Sequence, residues 1–254
     1  KREKLKTEIQ EKLNQYELLI WEEDIFNTQE YPSDPGFKNS KKRWYLDKIN
    51  ASGAWDKTKG NDSIVIAILD NGFDINHEEL KNKIYKPYNV YTRNSNVFTN
   101  KNSKHGSHVA GTALANNNNN IGLSGIAPNC LLMPIQVSGE NNVISNTAVI
   151  DGILYAIHQG ADVINISLGL AFEPEVLNLS EQVQYEMINT SYKSSELFWD
   201  KVFDIADRNN VTIVISAGNQ NILTGLDPIQ RNPLGIKVTA ITQKQEKAGF
   251  SNYG

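Results

Sequence analysis

Six apolar residues in a row, Ile64-Val65-Ile66-Ala67-Ile68-Leu69, end abruptly at Asp70, and Asn71-Gly72 follows as a turn signal. A short, mostly β-branched run with no polar break suits a strand buried on both faces, as in a parallel sheet covered by helices. Ligands and catalytic groups gather at the carboxyl ends of such strands. Asp70 occupies that end. From this stretch alone, a carboxylate that caps the next helix explains it equally well.

The rest of the chain supports the sheet. Apolar strand-like runs at 131–137, 162–168, 211–216 and 235–241 alternate with helical patterns near 105–115, 145–157 and 196–208. Ser145 reads as a helix N-cap and Gly160 as the stop of the same helix. Pro134 inside the second run predicts an irregularity or an edge. Asn116 to Asn120 form a loop, because asparagine disfavours helix interiors and tolerates turns. Alternation of this kind predicts a three-layer α/β fold with a mostly parallel sheet.

Before the sheet, Leu5, Ile9, Leu13, Tyr16 and Ile20 make one stripe of an amphipathic helix, so residues 1–30 read as a helical extension. Pro32, Pro35, Gly36 and a Lys-Lys-Arg run predict an extended linker over 31–43. Residues 31–254 then form the main domain, with 81–104 as polar surface loops carrying some strand. A long polar excursion occupies 170–195. The chain begins at Lys1 without a methionine or a signal-type apolar segment, which reads as a processed or trimmed piece.

Charge and cysteine content narrow the classes. The 254 residues carry a net charge of −4 without a basic block, which argues against a nucleic-acid partner. No run of 18 apolar residues occurs, so no membrane span is expected. Cys130 is the single cysteine and excludes an intramolecular disulfide. A secreted or extracytoplasmic bacterial setting is favoured, and a cytoplasmic one remains compatible.

Three polar positions recur where the fold would bring them together: Asp70 after one strand, His105 at a helix start and Asn219 after another strand. His105 and His108, three apart, also fit a metal-dependent hydrolase with Asp70 as third ligand, a short spacing that by itself specifies little. His77 and His158 have no chemical context.

Six segments, in order, resemble the subtilisin-like serine peptidases, the subtilases. Ile68-Leu69-Asp70-Asn71-Gly72-Phe73-Asp74 is similar to the family's Asp motif. His105-Gly106-Ser107-His108-Val109-Ala110-Gly111-Thr112 is similar to its His motif, with Ser107 where threonine is usual. Gly125-Ile126-Ala127-Pro128, the strand Asp162 to Gly169, Ser216-Ala217-Gly218-Asn219 and Phe250-Ser251-Asn252-Tyr253-Gly254 complete the set. The resemblance covers residues 31–254 and implies a subtilisin-like fold and a serine endopeptidase acting on polypeptides.

The resemblance also implies roles. Asp70 would orient His105, His105 would act as general base and then acid, and Asn219 would donate to the oxyanion. Ser167, Leu168, Gly169, Ala217 and Gly218 would wall the primary specificity pocket. Ser138, Gly139 and Asn142, in the stretch up to Ile144, would pair with the peptide as an added strand. A structural calcium ion would sit on Asp34, Glu79, Asn119 and the carbonyls of Ile121 and Leu123, all hard oxygen ligands. A propeptide, or a remaining C-terminal segment, is a further implied partner.

The sequence departs from the family in two ways. No Gly-Thr-Ser-x-x-x-Pro motif occurs, and family spacing puts the serine roughly 65 positions past the oxyanion asparagine, beyond Gly254. Ser107, Ser216 and Ser251 fall in other motifs. Asn219 follows His105 by 114 positions, against about 90 in the family, and residues 170–195 account for most of the excess as an insertion beside the specificity pocket. Two readings follow: a peptidase whose serine lies past this chain's end, leaving the chain alone inactive, or a non-catalytic peptide-binding or regulatory module.

Overall fold

The computed structural model describes residues 32–99, 104–139 and 141–254. The helical stripe expected over residues 1–30 lies outside them. Among the described residues six strands form one sheet in the order β2-β3-β1-β4-β5-β6, and every pairing between them is parallel. The strands are β1 (Val65–Asp70), β2 (Tyr88–Asn89), β3 (Leu131–Gln136), β4 (Val163–Ile166), β5 (Thr212–Ser216) and β6 (Ile236–Val238).

The apolar run at 64–69 became the strand it predicts, buried on both faces. Ala67 and Leu69 face one core with Met133, Ile135, Ile164 and Ile166. Ile68 faces a second core with Leu132 and Phe73. Alternate residues of one strand therefore serve opposite layers. Burying a side chain such as Ile68 or Leu69, both fully inaccessible, stabilises by roughly 1.5–3 kcal/mol.

Helices cover the two faces. On the first, α5 (Asn146–His158) packs beside α8 (Lys193–Arg208), which buries Trp199, Val202, Phe203 and Ala206 as one stripe. Ser145 caps α5 by accepting from the Ala148 N–H, as its sequence predicts. On the second face lies α4 (His105–Leu114), with Gly106, Ala110 and Leu114 inward at spacings of four. The Lys83 ammonium donates to the Leu114 and Pro128 carbonyls and so closes the end of α4. Among the described residues no helix is long and apolar enough to cross a membrane.

Several sequence expectations shift. Residues 31–43 are no extended linker: α1 (Pro35–Lys38) and α2 (Ser40–Lys48) occupy the described part, and α3 (Ala51–Trp55) follows. Pro35 sits in the first turn, where a missing N–H costs nothing, and Asn39 caps α2 through the Lys41 N–H. Phe37, Leu46 and Trp55 then bury as a small cluster. The polar excursion at 170–195 likewise holds α6 (Pro174–Leu177) and α7 (Glu181–Thr190).

Pro134 is not on an edge strand, since β3 lies between β1 and β2. Leu131 and Val137 donate to Ile64 and Asp70 on the β1 side. Even-numbered β3 residues point the other way, where Pro134 has no proton to give. Pairing there lapses between the Ile84–Leu132 bridge and the two-residue β2.

Candidate functional site

Because all strands run parallel, β1, β4 and β5, which are neighbours in that order, end along one edge of the sheet. Asp70, the residues after Ile166 and those after Ser216 therefore share that edge. The mechanism of their convergence is sheet order, which sequence spacing does not reveal.

Asp70 ends β1 fully buried. Its Oδ1 accepts the Asn71 N–H at 2.7 Å. His105 opens α4, and its Nδ1 lies 2.9 Å from both Asp70 oxygens. An ionised carboxylate only accepts, so Nδ1 carries the proton and Nε2 is left with a free lone pair in the neutral ring. The imidazole is 54% exposed, which leaves Nε2 reachable. The hydrogen bond to Asp70 raises the His105 pKa above its ordinary 6.5, partial burial opposes this, and the carboxylate charge adds to the rise.

Close packing holds the pair together. A Cβ on Gly106 would come 2.4 Å from the Gly72 carbonyl and 2.9 Å from the Asp70 Cβ. Asn71 Oδ1 accepts the Gly106 N–H, and Ser107 Oγ accepts the Asp74 N–H at 2.8 Å. Thus the serine that replaces the family's threonine ties α4 to the loop after β1.

Asn219 stands exposed on the loop after β5. Gly218 before it has φ +103°, and a Cβ there would meet the Asn252 side chain at 2.4 Å. Asn252 Oδ1 accepts the N–H groups of Gln220 and Ile222, and its own N–H donates to the Gly218 carbonyl. Asn252 stands in the last of the family-like segments, but its partners lie about 30 residues away, so no local signal marks its task. Gln230 likewise carries no local signal, its partner lying 14 residues away. Its amide donates to the Ser216 carbonyl at 2.5 Å.

Residues 167–169 and 217–218 follow β4 and β5 at the same edge. Ser167 Oγ accepts from Asn165, Ser216 Oγ donates to the Leu168 carbonyl, Gly169 is exposed and Ala217 is buried. Gln220 clasps the 170–195 insertion by donating to and accepting from the Phe172 backbone, and Gln184 Oε1 accepts the Leu223 N–H. Ser138 is buried, with its Oγ donating to the Asn71 carbonyl. Gly139 and Asn142 belong to a tight return in which Ser138 bridges Ile144, and Asn142 takes φ +60°.

Asp34, Glu79 and Asn119, three of the residues expected around a calcium ion, meet beside α4. Asp34, fully buried, accepts from the N–H groups of Asn118, Asn119 and Asn120 and from the Ser124 hydroxyl. Glu79 Oε2 accepts the Asn119 amide, while Glu79 Oε1 is buried without a hydrogen-bond donor. Burial raises the Glu79 pKa, and the Asn119 bond opposes it. Asn119 Oδ1 accepts the Ile121 N–H, and Leu123 is exposed. By contrast, among the described residues no set of three His, Cys, Asp or Glu side chains could hold a metal ion, so His105, His108 and Asp70 do not form one centre.

Comparison with known proteins gives a concordant picture. The subtilase family (peptidase S8) matches residues 61–254. The thermophilic serine proteinase of Bacillus sp. (strain AK1) is 31% identical over 91% of this chain and 51% of its own length. Thermitase of Thermoactinomyces vulgaris is 32% identical over 88% of this chain and 70% of its own. Thus the chain spans about half the length of the first of these relatives. Further relatives are named as extracellular, intracellular and calcium-dependent proteases. Among solved structures, a protease from Pseudoalteromonas arctica PAMC 21717 superposes with a TM-score of 0.69 at 25% identity, over 89% of this chain and 70% of that one.

Proposed function

This chain belongs to the subtilase family, and from that premise we propose that it is the larger part of a serine endopeptidase domain whose nucleophile lies past Gly254. The observation that carries the reading is the buried Asp70 carboxylate 2.9 Å from the Nδ1 of a half-exposed His105. That arrangement fixes one tautomer and leaves Nε2 free to accept a proton.

The chemistry then follows. His105 Nε2 takes the proton of the serine hydroxyl as its oxygen attacks the peptide carbonyl carbon. Negative charge moves to the carbonyl oxygen, where the Asn219 amide donates to it. His105 next gives the proton to the departing amine, and the C–N bond breaks. Water, activated by the same ring, releases the acyl group and regenerates the serine. Asp70 stays ionised and stabilises the imidazolium that forms twice. Ser167-Leu168-Gly169 and Ala217-Gly218 wall the pocket for one substrate side chain, and Ser138, Gly139 and Asn142 lie along the extended peptide.

A calcium ion fits the loop beside α4. Glu79 Oε1 lacks a donor, and the glycine conformation of Gly122 (φ +48°) leaves space where a Cβ would sit 2.7 Å from that oxygen. Glu79 and Asn119, with the carbonyls of Ile121 and Leu123, would hold the ion as hard ligands. Asp34 already accepts four hydrogen bonds and chiefly orders the loop. The bound ion would supply positive charge that fastens this loop to the domain.

Labelling of the full-length protein with a fluorophosphonate probe, followed by mass mapping, tests the reading. Modification of a serine beyond Gly254 that disappears in His105→Ala is the expected result. A folded protein that takes no label would overturn it in favour of a peptide-binding module.

A further inference from the structure

One carboxylate near the sheet edge takes no part in the chemistry above. Asp227 follows the Asn219 loop and is 8% exposed. It lines a cavity of about 100 Å³ whose other walls include Val149, Leu168, Leu170, Trp199 and Ile229. Leu168 and Gly169 belong to the wall of the proposed substrate cleft, and Leu170, at its exposed side, is held by its N–H donating to Asp227 Oδ2 at 2.9 Å.

The Asp227 carboxylate is only partly hydrogen-bonded. Its oxygens accept two backbone N–H groups, from Leu170 and Ile229, and an ionised carboxylate has room for about four donors. Burial is the leading influence on this carboxyl and pushes its pKa up; the backbone bonds and Arg231 oppose this. Arg231 makes no hydrogen bond to Asp227: its Nε donates to the Gly225 carbonyl and its Nη1 to the Ser191 carbonyl and, at 2.7 Å, to Glu196 Oε2, while Nη2 has no partner, so it acts on Asp227 through charge alone. A cavity with apolar and aromatic walls and one anion suits a long side chain with a cationic end. Methylenes would lie along the walls, and the aromatic wall of Trp199 also favours a cation.

We propose that this cavity selects a basic side chain, arginine or lysine, of the substrate peptide, with the Asp227 carboxylate as its counter-charge. This rests on the peptidase reading. Pairing also relieves Asp227, because an ammonium or guanidinium supplies the donors its free acceptor positions lack.

The test uses the full-length protein and fluorogenic peptides that carry arginine or its neutral isostere citrulline at each position in turn. At one position arginine should raise kcat/KM by about tenfold or more, the size expected for a hydrogen bond to a charged group. In Asp227→Asn, checked for folding by thermal melt, the ratio should fall to near one. The arginine–citrulline comparison in the unmodified protein stands even where the variant fails to fold. Cleavage without a basic preference, or a preference that survives Asp227→Asn, overturns the inference and leaves the peptidase reading intact. If no peptide is cleaved, the peptidase reading fails, and calorimetric binding of the same pairs decides the pocket: arginine-selective binding supports it, and unselective or absent binding overturns it.

Discussion

His105 Nδ1 and the Asp70 carboxylate meet at 2.9 Å to each oxygen, one partner fully buried and the other 54% exposed. Burial prevents water from competing for the carboxylate, while exposure keeps the far nitrogen of the ring accessible. The hydrogen bond, in turn, favours the protonated ring.

His105 should therefore titrate above 6.5, and in Asp70→Asn it should move back toward that value; NMR of the ring protons reads both. A raised folded-state pKa contributes stability that is fully present below the unfolded value of about 6.5 and is lost as pH rises through the folded value. Activity has the opposite sense, since a general base must be neutral. Hydrolysis by the full-length protein should rise with pH through the same titration. Asp70→Asn should lower kcat by about 10⁴-fold, a size taken from serine peptidases in general.

Gly106→Ala should disrupt the same pair without touching either charge. The added Cβ has the Gly72 carbonyl at 2.4 Å and the Asp70 Cβ at 2.9 Å, and both belong to or adjoin buried backbone. The first turn of α4 must move away. Thermal unfolding should show a loss of about 1–3 kcal/mol, and the His105 titration should shift toward its ordinary value.

Asn252→Ala should loosen the Asn219 loop. It removes the acceptor of the Gln220 and Ile222 N–H groups, and the latter bond is buried. The expected cost is about 1–3 kcal/mol for donors left unpaired. In the full-length protein kcat should fall more than KM rises, because the oxyanion donor acts in the transition state.

Calcium should raise the melting temperature of the domain, and EGTA should reverse it. At a calcium concentration of about 100 times Kd the gain is about 2.7 kcal/mol. Glu79→Gln removes the charge of the orphaned oxygen and should abolish most of that response. A melting temperature indifferent to calcium in the unmodified protein would remove the ion from the proposal.

Much of the scaffold was legible. An unbroken six-residue apolar run, a serine N-cap three residues before the N–H that donates to it, and a left-handed stop at Gly160 are local signals, and β1, α5 and the end of α5 formed where they point. Local signals also misled. Prolines at 32 and 35 read as breakers, yet Pro35 starts a helix because its first turn needs no N–H there. The stretch at 170–195 read only as a polar excursion because its helices are mostly exposed and poor in apolar residues.

The site divides along the same line. Sequence alone determined which groups stand at strand ends and helix starts, because strand length and caps are written within a few residues. Asp70, His105 and Asn219 were found that way. Only the tertiary structure decided which of those ends are neighbours, since that depends on the sheet order β3-β1-β4-β5 and not on spacing. It alone brought Asn252 to Gly218, Gln220 to Phe172 and Asp227 to Leu170. Those contacts join residues about 30 to 57 positions apart, where the packing of whole layers, and not local propensity, fixes which polar groups meet.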